Sequence, residues 1–119
     1  MASKEDKILE ILDDLLGLED IHACVVAKRD MMGVIPDTKR FNPDVIDIWE
    51  ILKDTTNKFF DYSVAGLDKV YFELRDHDVL FFILPGTDTA LVSIVPALAN
   101  RGLLEVEMEN ARRRIMEVI

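Results

Sequence analysis

Three apolar runs lie close together in the second half of the chain, and they differ in kind. Lys69-Val70-Tyr71-Phe72-Glu73-Leu74 alternates apolar Val70, Phe72 and Leu74 with Lys69, Tyr71 and Glu73, whereas Val79–Leu84 and Ala90–Val95 are almost wholly apolar. Alternation marks a half-buried strand, and a continuous apolar run marks a strand covered on both faces. Lys69–Leu74 is therefore predicted to be a sheet edge, free of proline and glycine. Such an edge is an open template that a protein must pair or hide. The pattern predicts a module that associates with another chain.

The rest of the chain completes a layered fold. Ser3 with Asp6 reads as a capping box, and Ile8, Ile11, Leu12 and Leu15 follow at helical spacing up to Gly17, a left-handed stop. Ile21–Lys28 reads as a strand, Arg29–Gly33 as a hairpin turn, and Val34–Asp37 as a short second strand. Pro36 confines that strand to an edge. Asn42 and Pro43 open a second helix. Its apolar residues (Val45, Ile46, Ile48, Trp49, Leu52, Phe59, Phe60) cover about half of a helical wheel, wider than one sheet requires. Ser63–Leu67 reads as a linker. Short polar turns at Arg75–Asp78 and Pro85–Asp88 join the three later strands into an antiparallel meander, which Pro96 ends. A third helix spans about Leu103–Val118, with Glu105, Glu107 and Glu109 early and Arg112, Arg113 and Arg114 late. That order complements the helix dipole, with Glu109–Arg113 and Arg113–Glu117 as helical pairs. The order helix, two strands, helix, three strands, helix predicts an α/β class: a three-layer α/β/α sandwich around a five-stranded antiparallel sheet. Residues 1–119 read as one domain.

Composition narrows the chemistry. Of 119 residues, 50% are hydrophobic and 31% charged, with a net charge of −9. This acidity argues against nucleic acid and against anionic membranes. No leader-like or transmembrane-length stretch is seen, so a cytoplasmic protein is expected. The single cysteine, Cys24, lies among apolar residues and reads as a buried small hydrophobe. His22 and His77 show no ligand spacing, and His77 between Asp76 and Asp78 reads as part of a solvated turn. The glycines are isolated and form no phosphate loop. Ser93 lacks a nucleophile elbow. Asp13-Asp14 and Asp76/Asp78 read as solvated surface, as do Arg112, Arg113 and Arg114. Neither catalytic residues nor a metal or cofactor are expected. Trp49 fits either the core or an interface anchor, and the adjacent Met31 and Met32 suggest an adaptable surface contact.

Four stretches, in this order and spacing, resemble the roadblock family, the small domains first known as dynein light chains. They are Ala23-Cys24-Val25-Val26-Ala27-Lys28-Arg29-Asp30, Val70-Tyr71-Phe72-Glu73-Leu74, Val79-Leu80-Phe81-Phe82 and Ala90-Leu91-Val92-Ser93-Ile94-Val95, followed by Asn100-Arg101-Gly102-Leu103-Leu104 at the last helix. Roadblock hairpins often place glycine directly after the Arg-Asp pair; here Met31 and Met32 intervene, so a different turn is expected. The resemblance implies a roadblock/profilin-like fold and a homodimer or heterodimer, joined by the meander edge and the second helix. It also implies a non-catalytic scaffold or regulator of Ras-like small GTPases, or a cargo adaptor. The expected dimer interface is Lys69, Val70, Tyr71, Phe72 and Glu73 with Ile46 and Trp49. The expected partner contacts are Met31, Met32, Glu50, Lys53 and Asp54. The alternative is a small-ligand sensor module or general adaptor on the same kind of sandwich, for which a pocket with convergent polar groups would speak.

Overall fold

The structure, a computed structural model, describes residues 3–29 and 31–119; for Met31, Met32 and Lys53 it describes the backbone alone. Helix α1 (Lys4–Leu16) begins at the expected capping box. Ser3 Oγ accepts from the Asp6 amide at 3.1 Å, and Asp6 Oδ2 accepts from the Ser3 amide at 3.3 Å. Two amides that the first helical turn cannot use are thus satisfied. Gly17 closes the helix at φ −69° rather than in the left-handed region, its amide donating to the Asp13 carbonyl at 3.1 Å.

Strand β1 (Ala23–Lys28) pairs with β2 (Met31–Val34), which differs from the expected Val34–Asp37. Proline has no N–H for a ladder, so Pro36 lies beyond the strand. Met31 and Met32, read as turn, supply its first half instead. The pairing shifts register between Val26 and Lys28. Gly33 is required there because an added Cβ would stand 1.7 Å from the Val26 carbonyl oxygen.

The second helical segment is broken rather than continuous. Asn42 Oδ1 accepts from the Asp44 amide at 3.0 Å and caps a 3₁₀ turn, Pro43–Val45, before α2 (Ile46–Thr55). Thr55, Thr56 and Asn57 are poor helix formers, and the helix yields to a 3₁₀ turn over Thr56–Lys58. A short α3 (Phe59–Tyr62) and a last 3₁₀ turn (Ser63–Ala65) follow, replacing the expected linker, and Gly66 ends them at φ +92°. Strands β3 (Lys69–Glu73), β4 (His77–Ile83) and β5 (Thr89–Pro96) form the meander. Pro96 is the last residue of β5. Asn100 Oδ1, accepting from the Leu103 amide at 3.1 Å, starts α4 (Arg101–Val118) two residues before the expected point.

The five strands run in the order β2-β1-β5-β4-β3, all neighbours antiparallel, so β2 and β3 are the edges. The period of two explains the unbroken apolar runs. Leu80, Phe82, Leu91 and Val95 meet α1 and α4 on one face, while Val79, Phe81, Val92 and Ile94 meet Val45, Leu52 and Phe60 on the other. This is the expected three-layer α/β/α sandwich. Two buried polar side chains find partners inside it. Ser93 Oγ donates to Met108 Sδ at 2.9 Å, and Cys24 Sγ donates to the Leu12 carbonyl at 3.4 Å.

Candidate functional site

The β3 edge presents its free hydrogen-bonding groups at defined residues. The Leu74 amide donates to the His77 carbonyl at 2.9 Å, and the Ile83 amide donates to the Asp68 carbonyl at 2.9 Å. Residues 68 and 74 therefore turn their backbone groups toward β4. Strand groups alternate, so the amides and carbonyls of Lys69, Tyr71 and Glu73 point outward, away from the sheet.

The polar side chains of that edge are held by α4. Lys69 Nζ lies 2.7 Å from Glu109 Oε1 and 4.9 Å from the centre of the Phe82 ring. Burial alone would raise the Glu109 carboxyl, but hydrogen bonds from Lys69 and Arg112 outweigh it and hold the group below the usual carboxylate range. The Tyr71 ring meets Phe82 edge-on at 6.2 Å, with the Arg101 guanidinium 5.6 Å from its centre. Burial first, and the contact with Glu105 second, push the Tyr71 hydroxyl up. Arg101 reaches Glu73 at 3.5 Å and pairs with the buried Asp78. On the opposite face Val70 and Phe72 are half-buried, and Phe72 packs on Phe59 with ring centres 5.6 Å apart.

Beside this edge runs an open groove of about 440 Å³, lined by Phe59, Tyr62, Ala65, Gly66, Leu67 and Val70. Tyr62 is 59% exposed, and Leu74, just past the strand, is 42% exposed. The sequence does not reveal this groove, because Ser63–Leu67 reads as a linker. Its only signal was the apolar pair Phe59 and Tyr62 at helical spacing.

The other expected interface residues, Ile46 and Trp49, belong to α2. Trp49 is half-buried in a cleft with Phe41, Val25, Val92 and Ile94, over β1 and β5, so that β4 separates it from the edge. Ile46 is 38% exposed, and Ile51, not singled out from sequence, is 72% exposed. Glu50 and Asp54 are exposed on α2. Met31, Met32 and Lys53 are partner candidates whose side chains lie outside the described residues; the backbones of Met31 and Met32 form the opposite edge, β2. The structure thus gathers Lys69, Val70, Tyr71, Phe72 and Glu73 at one edge and carries Ile46 and Trp49 on α2.

Several readings of the surface change, and Asp78, expected to be solvated, is instead buried and paired with Arg101. Arg112 is not on a solvated face: its side chain is 11% exposed and donates to Asp68 Oδ1 at 2.8 Å, the Ile83 carbonyl at 2.9 Å and Glu109 Oε1 at 2.7 Å. Glu109, expected to pair with Arg113, is held by Arg112 and Lys69, while Arg113 donates to Asn110 and Arg114 pairs with Asp14. His77 does not sit in a solvated turn. It opens β4, half-buried, with its ring centre 5.6 Å from that of His22. Among the described residues no group of three or more His, Cys, Asp or Glu is placed to hold a metal ion. Nor is any described helix long and apolar enough to cross a membrane.

Solved structures share this architecture. MglB from Myxococcus xanthus superposes with a TM-score of 0.75 over 99% of this chain and 91% of its own, at 12% identity. MglC from the same organism gives 0.69 over 92% and 97%, at 14% identity. A roadblock/LC7 domain from Streptomyces avermitilis gives 0.69 over 92% and 94%, at 14% identity. No family model matches the sequence and no curated protein matches it. The chain has the roadblock/LC7 fold.

Proposed function

We propose that this protein is a non-catalytic regulatory or scaffold subunit that pairs with a second copy through β3 and binds a Ras-like small GTPase in the cytoplasm. The observation that carries the pairing is the outward row of backbone groups at Lys69, Tyr71 and Glu73, on an edge without proline or glycine. Pairing about a two-fold axis closes the edge and joins two sheets into one of ten strands. Charge selects the register. An axis at Tyr71 sets Lys69 opposite the partner's Glu73 and Val70 opposite the partner's Phe72. An axis at Phe72 instead sets Lys69 against the partner's Arg75, like against like. With the axis at Tyr71, the partner's Leu74 falls beside the groove of Phe59, Leu67 and Val70.

The GTPase reading is supported by the resemblance of sequence and fold to roadblock domains, MglB and MglC among them. One solved MglB is described as having a tetrameric arrangement, in keeping with self-association in proteins of this shape. The surface proposed for the GTPase is α2, with Ile46, Ile51, Glu50 and Asp54, together with β2. Neither nucleic acid nor membrane enters this reading, nor does a cofactor. The test is a pull-down from the source organism's extract with a GTP analogue and with GDP. Recovery of a small GTPase in the GTP-analogue arm is expected. A reproducible non-GTPase partner, with no GTPase in either arm, would replace the reading with a general adaptor. Titration calorimetry with GTP, ATP, zinc and magnesium is expected to give no stoichiometric heat; a reproducible one-to-one response to any of them would overturn the non-catalytic reading.

A further inference from the structure

We propose that the His22–His77 contact is an acid-sensitive latch, which clasps the entry of the helical layer to the β3–β4 hairpin and opens in mildly acidic solution. Each histidine is a backbone anchor. The His22 amide donates to the Ile94 carbonyl at 2.9 Å, and its carbonyl accepts from the Asn42 amide at 2.9 Å. Asn42 in turn caps the turn that leads into α2. The His77 carbonyl accepts from Leu74 at the tip of the hairpin that carries the β3 edge. Between the two anchors the rings meet edge-on, 5.6 Å apart at an interplanar angle of 65°.

That contact suits neutral rings and not charged ones. His22 Nδ1 is buried and, among the described residues, has no hydrogen-bond partner. A proton placed there becomes a buried donor with no acceptor, against a second imidazole. The charged and titratable groups facing His22 are His77 from β4, Asp20 from the connection after α1, and Asp44 from the turn before α2. Asp76 and Asp78 flank His77 in the chain, and Asp78 is already paired with Arg101. The two acids Asp20 and Asp44 favour an imidazolium. Burial, and after it the His77 ring, outweigh them and hold His22 below the ordinary histidine value. The sign follows. An opened form takes up the proton more readily than the closed one. The latch therefore loses stability as pH falls from about 6.5 toward the lowered value, and regains it on return to neutrality.

The latch stands whether or not the chain binds a GTPase, because its readout lies in the chain itself. The experiment follows both imidazoles by NMR on the full chain, with hydrogen exchange of the Asn42 and Leu74 amides, from about pH 7.5 to about pH 5. Corrected for intrinsic rates, protection of both amides is expected to fall with acidity. For a single proton the loss per pH unit stays below about tenfold, the limit that linkage sets. His22 should titrate below the ordinary value and move upward in His77→Phe. The pH dependence should vanish in His22→Phe, which keeps an aromatic edge and removes the proton. Flat protection in the wild type would overturn the latch. So would a His22 midpoint unmoved by His77→Phe, a measurement that holds even if His22→Phe does not fold.

Discussion

Two buried side chains make residue-scale predictions that ordinary core packing does not. Ser93 is fully buried, and its hydroxyl donates to the Met108 thioether. Removing only the acceptor strands the donor, which costs about 1–3 kcal/mol, whereas removing both partners avoids that penalty. Met108→Leu is therefore expected to destabilise the fold, and adding Ser93→Ala to recover most of the loss, in urea titrations of the three variants. A double variant no more stable than Met108→Leu alone would refute the pairing. Cys24 lies beneath α1 and is 1% exposed. Burial pushes its thiol up to about 12, so almost no thiolate exists at neutral pH. Iodoacetamide is expected to leave Cys24 unlabelled in the native protein and to label it once the chain is unfolded. Stoichiometric labelling of the native state within minutes at neutral pH would contradict this burial.

At the scale of elements, what was legible in the sequence was whatever a short window determines. The Ser3–Asp6 box, the stripe of α1 and the contrast between β3 and its neighbours each rest on residues within one turn or one strand. The edge was legible for the same reason, since alternation and the lack of proline are local. What failed depended on distant partners. Met31 and Met32 read as turn because nothing nearby shows that β2 bulges opposite Ala27 and so brings them into the ladder. The break after Thr55 was hidden because apolar spacing continues to Phe60 although the propensity of Thr55-Thr56-Asn57 does not support it. Arg112 read as surface because Asp68 and the Ile83 carbonyl, its anchors, are 44 and 29 residues away. Those anchors predict a large effect for an apparently solvated helix position. Arg112→Ala should cost about 2 kcal/mol, since charge-assisted bonds to Asp68 and Glu109 and a buried carbonyl's donor are lost together. Arg112→Lys should recover only part of this, lacking the planar fork that serves several acceptors. Thermal melts of both variants at matched pH are the check. An Arg113→Ala control is expected to change little, as Arg113 is exposed and, among the described residues, donates to Asn110 one turn earlier.

For the whole molecule the decisive question is whether the sheet ends at β3 or continues into a second copy, and proline can separate the two ladders that meet there. Phe72 turns its amide inward to β4, by alternation from Leu74, so Phe72→Pro removes a bond from the protomer's own sheet. Tyr71 turns its amide outward, so Tyr71→Pro leaves the β3–β4 ladder intact. It removes a donor only from the row that a second copy would use, and places a ring where that strand would approach. Two substitutions one residue apart should therefore differ in kind. Tyr71→Pro is expected to sediment as a monomer while keeping most of its thermal stability. Phe72→Pro is expected to lose stability before assembly can be judged. A charge reversal completes the argument. If Lys69 lies opposite the partner's Glu73, then Lys69→Glu places like charges across the axis twice and weakens association. Combining it with Glu73→Lys restores the cross-axis pairs, although each swapped residue then faces a like charge on α4, Glu109 for position 69 and Arg101 for position 73. Sedimentation velocity over a concentration series measures all four proteins against the wild type. A wild type that stays monomeric at high micromolar concentration would end the proposal, as would a Tyr71→Pro variant that dimerises as the wild type does.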